Sequence, residues 1–106
     1  MNVKISSTAL CFKITASELE RLKNAETLLE TLSIGRRKLS IAVDPAGVRD
    51  DFIVSYDEDT VRLLVSMAKV RELADLGRSR DGLEQDIGGL SVSLQVDFRT
   101  QKRQAA

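Results

Sequence analysis

The 106 residues are enough for one domain with a single modest core, and an apolar fraction of 42% sets the chain apart from disordered sequences. Sixteen basic and sixteen acidic residues cancel, which argues against a polyanion binder driven by bulk charge. There is no histidine, the commonest general base and metal ligand, and the single cysteine, Cys11, allows no intrachain disulfide. No apolar run approaches the ~20 residues of a membrane span, and the N-terminus lacks the apolar stretch of a signal peptide. The expectation is a cytoplasmic protein without a membrane partner or a cofactor.

Taken in order, residues 2–6 read as a short strand and Ser6-Ser7-Thr8 as a turn. Leu10, Phe12 and Ile14 then alternate with Cys11 and Lys13, the period of a half-buried strand. Thr15 or Ser17 is placed to cap a helix, with Glu18 and Glu20 in its first turn and Leu19 and Leu22 on one face, ending near Asn24 or Ala25. Residues 27–34 read as a strand, Gly35-Arg36-Arg37 as a hairpin turn, and 38–44 as a strand with Leu39, Ile41 and Val43 inward. Pro45 and Gly47 interrupt the pattern and mark a linker at 45–50.

The second half follows the same order. Residues 52–56 form a strand, Asp57-Glu58-Asp59 a turn and 61–65 a strand. Ser66 caps a helix that runs to about Leu76 and stops at Gly77. Residues 82–87 form a strand, Gly88-Gly89 a tight hairpin, and 90–98 a strand with Leu90, Val92, Leu94 and Val96 on one face. Leu10, Phe12, Ile14, Leu19 and Leu22 share their spacing with Val61, Leu63, Val65, Val70 and Leu73. Matching Leu39-Ile41-Val43-Asp44 to Val92-Leu94-Val96-Asp97 gives intervals of 29 residues (10 to 39) and 31 residues (61 to 92), which requires a two-residue insertion in the second half. The pattern predicts an internal duplication. Neither half buries an apolar face alone, so the two share one core. Residues 1–98 form a single domain, with repeat one at 2–44, the linker at 45–50 and repeat two at 51–98; residues 99–106 form a polar, frayed tail.

The strand, strand-to-helix and hairpin plan resembles the AbrB/MazE-type swapped-hairpin family. The resemblance is carried by TVRLLVSMAKVRELADLG at 60–77, with Val70-Arg71-Glu72-Leu73 and Leu76-Gly77. It implies an α+β domain in which two ββαββ repeats interleave their hairpins. The result would be one pseudo-twofold, mostly antiparallel, β-barrel-like domain with two short helices. The chain departs from that family's pattern at Thr8-Ala9 and Asp59-Thr60, where a glycine and a basic residue are usual, and at Thr15 and Ser66, where a proline is usual. Val3-Lys4-Ile5, the run from Thr15 to Leu22 and Asp97-Phe98 also resemble a family of small bacterial proteins of unknown function, which implies no activity.

Few residues invite chemistry. Cys11 has only Lys13 on its own strand face as a cationic neighbour and no histidine to activate it. Asp57-Glu58-Asp59 lacks the ligand spacing and the glycine of a calcium loop. No glycine-rich run has the spacing of a phosphate cradle. The chain therefore reads as a binding module and not as an enzyme, with an unknown protein partner or self-association through an open strand edge as the leading role. The alternative is an AbrB-like DNA-binding regulator or antitoxin. Its candidate contacts are Arg36, Arg37 and Lys38 on a hairpin and Arg78 and Arg80 after the second helix, with Arg99, Lys102 and Arg103 on the tail. The acidic turn Asp57-Glu58-Asp59 disfavours DNA, because it would face the phosphates in place of a basic turn.

Overall fold

The computed structural model describes residues 1–76 and 82–97, and the chain folds as an α+β protein. Eight strands and two helices follow in the order β1 (Asn2–Ile5), β2 (Ala9–Ile14), α1 (Ala16–Lys23), β3 (Leu28–Ile34), β4 (Arg37–Gly47), β5 (Ile53–Asp57), β6 (Thr60–Ser66), α2 (Met67–Asp75), β7 (Leu83–Ile87) and β8 (Leu90–Val96). The expected stop at Gly77 and the strand end at Phe98 lie outside the described residues. Neither helix is long and apolar enough to cross a membrane.

The strands form two four-stranded mixed sheets, ordered β1-β2-β8-β7 and β3-β4-β6-β5. Each consists of two antiparallel hairpins joined by a parallel pair at the centre: β2 with β8 in the first sheet, β4 with β6 in the second. This corrects the expected barrel. Closure needs the outer strands to pair with one another, and among the described residues β1, β7, β3 and β5 each have a single strand partner.

Side chains directly across a ladder share a face, so the register identifies the faces. In the first sheet Leu10, Phe12 and Ile14 lie beside Val92, Leu94 and Val96. In the second, Ile41 and Val43 lie beside Val61 and Leu63. These residues, except half-buried Val61, form one buried cluster with Leu19 and Leu22 of α1, Val70 and Leu73 of α2, and Leu28, Phe52 and Val65. Leu39 and Leu90, expected inward, are only half-buried because they lie at hairpin ends. Phe52, expected in a strand, precedes β5, and its N–H donates to Gln85 Oε1 on β7 at 2.9 Å.

Local sequence explains the helix ends. Thr15 accepts from the Glu18 N–H at 3.1 Å, while Glu18 Oε1 accepts from the Thr15 N–H at 2.9 Å, a reciprocal capping box. Ser66 caps α2 by accepting from the Lys69 N–H at 3.1 Å. α1 ends with Ala25 and Glu26 donating to the carbonyls of Leu22 and Arg21, which places Ala25 at φ 63°. That left-handed position favours glycine. β4 continues through the expected linker as far as Gly47, with its register shifting between Asp44 and Gly47. Such a bulge accommodates Pro45, which has no N–H to give a ladder. A Cβ on Gly47 would lie 2.7 Å from the Val65 carbonyl carbon, so the close approach of these strands requires glycine.

The Met1 ammonium lies between two carboxylates, 3.0 Å from Glu18 Oε1 and 2.9 Å from Glu30 Oε1. Burial opposes its charge, but the hydrogen bonds it donates to Glu30 and Glu18 outweigh that and raise its pKa above the ordinary value. A raised folded-state pKa stabilises fully below the unfolded value of about 8 and is lost as pH rises through the folded value. Denaturant midpoints should therefore decline from about pH 8 upward, and chemical acetylation of this amine should flatten that part of the profile. In a separate experiment Ala25→Gly should raise stability by about 1 kcal/mol, seen as a higher urea midpoint with an unchanged slope.

Candidate functional site

Hairpin lengths create the most distinctive surface. The first parallel pair of the second sheet is Ser40 with Thr60, so β4 projects three residues, Arg37 to Leu39, beyond it. In the first sheet the corresponding pair is Ala9 with Ser91, and β8 projects by Leu90 alone. The β3–β4 hairpin thus extends past the parallel ladder, and the core-facing side of its sheet runs out with it. On that side Leu32 pairs with Leu39, Ile34 with Arg37, and Tyr56 with Val61. Ile34 is 58% exposed, Tyr56 69% and Leu32 47%.

Ile34, Arg37, Lys38, Leu39, Tyr56 and Asp59 line an open groove of about 290 Å³ at this end. Across it, Arg37 Nη2 donates to both carboxylate oxygens of Asp59, at 2.8 and 3.0 Å. That hydrogen bond, with the attraction of the same carboxylate, raises the Arg37 pKa above its already high ordinary value. The Asp59 carbonyl also accepts from the Ser40 N–H at 2.9 Å. The two hairpin tips are therefore fastened to each other by backbone and side chain.

The turn residues differ in strain. Gly35 takes φ 60° and Arg36 follows without a positive φ, as in a II′ turn. Glu58 and Asp59 both hold positive φ, 51° and 58°, the I′ geometry that Asn-Gly fills without penalty. The β7–β8 hairpin adopts the same two-residue geometry with Gly88 and Gly89.

Of the basic residues picked out from sequence, Arg36, Arg37 and Lys38 do share this tip. Arg37 is engaged by Asp59, whereas Arg36 and Lys38 have no ion pair among the described residues. Arg37 belongs to β4, leaving Gly35-Arg36 as the turn. Arg78, Arg80, Arg99, Lys102 and Arg103 lie outside the described residues. Cys11 has a second cationic neighbour beyond Lys13, since Lys4 stands directly opposite it on β1. Asp44, inside β4, accepts from Arg62 Nη1 at 2.9 Å and from the Ala46 N–H at 3.0 Å, combining an ion pair with a local backbone hydrogen bond. No group of three His, Cys, Asp or Glu able to hold a metal occurs among the described residues.

Sequence reasoning missed Tyr56, Ile34 and Leu39 as surface residues. Their alternation is that of core positions; the hairpin overhang uncovers Ile34 and Leu39, and the outer-strand position of β5 uncovers Tyr56. The Arg37–Asp59 pair spans 22 residues and two strands, so no local motif reveals it. No family model matches the chain, and comparisons with curated proteins and with solved structures give no match.

Replacing Glu58→Asn and Asp59→Gly should relieve the turn and raise stability by roughly 1 kcal/mol, while releasing Arg37. The urea midpoint reads the gain. A midpoint at or below that of the native sequence would mean that the Asp59 contacts outweigh the backbone strain.

Proposed function

We propose that the chain is a non-enzymatic protein-interaction module whose contact surface is the open groove at the β3–β4 and β5–β6 tips. One observation carries this reading: an apolar sheet face, bearing Leu32, Ile34 and Tyr56, continues uncovered beyond the core beside a preformed Arg37–Asp59 pair. Large exposed apolar side chains flanked by polar ones favour protein contact, with a tyrosine supplying area at low entropic cost. The groove is acidic as well as basic, which suits a protein partner better than a phosphate backbone.

The scaffold is read as two ββαββ halves of a duplicated unit, interleaved as in the swapped-hairpin family. A constant displacement of 51 residues supports it, carrying Leu10 onto Val61, the cap Thr15 onto Ser66 and Ile41 onto Val92. The bond from the Ser40 N–H to the Asp59 carbonyl, 2.9 Å, has its counterpart in that from Ser91 to Thr8, also 2.9 Å. On this alignment the interval from first to last core strand is 31 residues in both halves (10 to 41, 61 to 92), so the two-residue insertion is replaced by two compensating changes. The first half has the longer hairpin and the second the longer helix-to-strand connection. Each half would place one hairpin in each sheet.

The DNA-binding alternative retains one specific point in its favour, Arg36 and Lys38 on the projecting tip, which have no ion pair among the described residues. Two measurements separate the readings. Peptides selected from a random displayed library should bind the native chain at least tenfold more tightly than Tyr56→Lys, about 1.4 kcal/mol for an aromatic anchor. Labelled duplex DNA at low salt should show no saturable binding at micromolar protein. Saturable DNA binding that Arg36→Ala with Arg37→Ala abolishes would overturn the protein-interaction reading.

A further inference from the structure

The β3 edge is the longest of the four outer strands, seven residues against four in β1 and five each in β5 and β7. Six of its seven residues are exposed, among them Leu29 at 60%, and among the described residues no strand covers it. It lacks lysine, proline and a bulge, devices that usually blunt an edge. Its one inward-facing charge, Glu30, is already paired with the Met1 ammonium.

The backbone fixes which groups are free. A two-residue turn closes on a hydrogen-bonded pair, here Ile34 with Arg37, so Leu28, Glu30, Leu32 and Ile34 exchange bonds with β4. The N–H and C=O groups of Leu29, Thr31 and Ser33 therefore point out of the sheet. Charge is polarised along the same strand, with Glu26 ahead of it and Arg36 just after it. A parallel copy would set like charges side by side. An antiparallel copy sets opposite charges together.

We propose that β3 pairs antiparallel with β3 of a second copy of this chain about a twofold axis at Thr31, joining two four-stranded sheets into one of eight. In this register Leu29 bonds with Ser33 of the other copy, Leu28 lies against Ile34, and Glu26 meets Arg36 at each end of the ladder. Glu26 is free to do so, since its internal contact with Arg21 is a marginal 3.9 Å between exposed side chains. The same strand thereby satisfies its backbone groups, covers part of its exposed apolar side chains and neutralises Arg36, which has no ion pair among the described residues. The inference deepens the interaction-module reading and rests on it, naming a second copy as the partner of this edge.

Sedimentation equilibrium on the full chain tests it through a charge swap. The native chain should dimerise, and Glu26→Arg and Arg36→Glu should each weaken the dimer by roughly tenfold or more, because each change replaces two attractions with two repulsions. The double variant should restore association to near the native level, with thermal melts confirming that all four proteins fold. A native chain that stays monomeric, including one that takes up an extended peptide on this edge, overturns the pairing. A dimer indifferent to the swap overturns it equally. Either failure leaves the groove reading to be judged separately by the Tyr56→Lys peptide measurement.

Discussion

The parallel pairing at the centre of each sheet is the constraint on which the rest of the molecule depends. A lone hairpin is marginal in water, and none of the four here has a second apolar layer of its own. β2 finds β8 across almost the whole chain, and β4 finds β6 across the bulge at Pro45. These two contacts bring the buried faces of both sheets into one cluster with Leu19, Leu22, Val70 and Leu73 of the helices. Without them the hairpins would have turns, ladders and alternation but no interior. The arrangement also makes the chain interdependent: the first and last hairpins share a sheet, so removing either terminal hairpin leaves an exposed apolar face.

The same register determines where the surface is unusual. Where β4 meets β6, the ladder starts at Ser40 and Thr60, and everything before Ser40 overhangs. Leu32, Ile34 and Leu39 retain the alternation of core residues but have passed beyond the material that would cover them, while Tyr56, level with Ile41 inside the ladder, is exposed on the outer strand β5. Exposure here results from hairpin length and strand position, not from a change in residue type. The tip is held in place by the neighbouring tip, through Arg37 on Asp59 and the Ser40 bond to the Asp59 carbonyl. Glu58 and Asp59 occupy left-handed backbone positions that glycine and asparagine fill more easily. Strain of that kind persists where surrounding contacts over-determine the conformation, and the Arg37 pair is such a contact.

Much of the architecture was legible because local signals agreed. Alternation located the strands, Thr15 and Ser66 located the helix starts, and Gly35 and Gly88-Gly89 located two of the hairpins. The shared spacing of Leu10 to Leu22 and Val61 to Leu73 also anticipated which side chains are buried, apart from half-buried Val61. The strand partners were not legible, since a parallel pair across many residues leaves no local signature. That gap explains the expected barrel, which proved to be two separate sheets. The site suffered in the same way: Arg36, Arg37 and Lys38 were visible as a basic cluster, but the opposing Asp59 and the apolar groove follow only from which tips abut.

Edge and groove are two consequences of one asymmetry. The β3–β4 hairpin is the long one, so it carries both the overhanging apolar face and the longest open ladder. Lengthening a hairpin beyond its sheet adds backbone donors and acceptors at the edge and side chains at the tip together, because strand alternation couples them. In β3 the outward backbone groups belong to Leu29, Thr31 and Ser33, while the core-side face belongs to Leu28, Glu30, Leu32 and Ile34. A partner strand on this edge would extend that face and reduce the exposure of Leu32 and Ile34 without touching Tyr56. Tyr56 sits on β5, at the opposite side of the same sheet. The sheet therefore exposes two surfaces with different chemistry, a backbone ladder on one flank and an aromatic-walled groove at the tip. The two meet at Ile34, which belongs to the β3 edge and lines the groove.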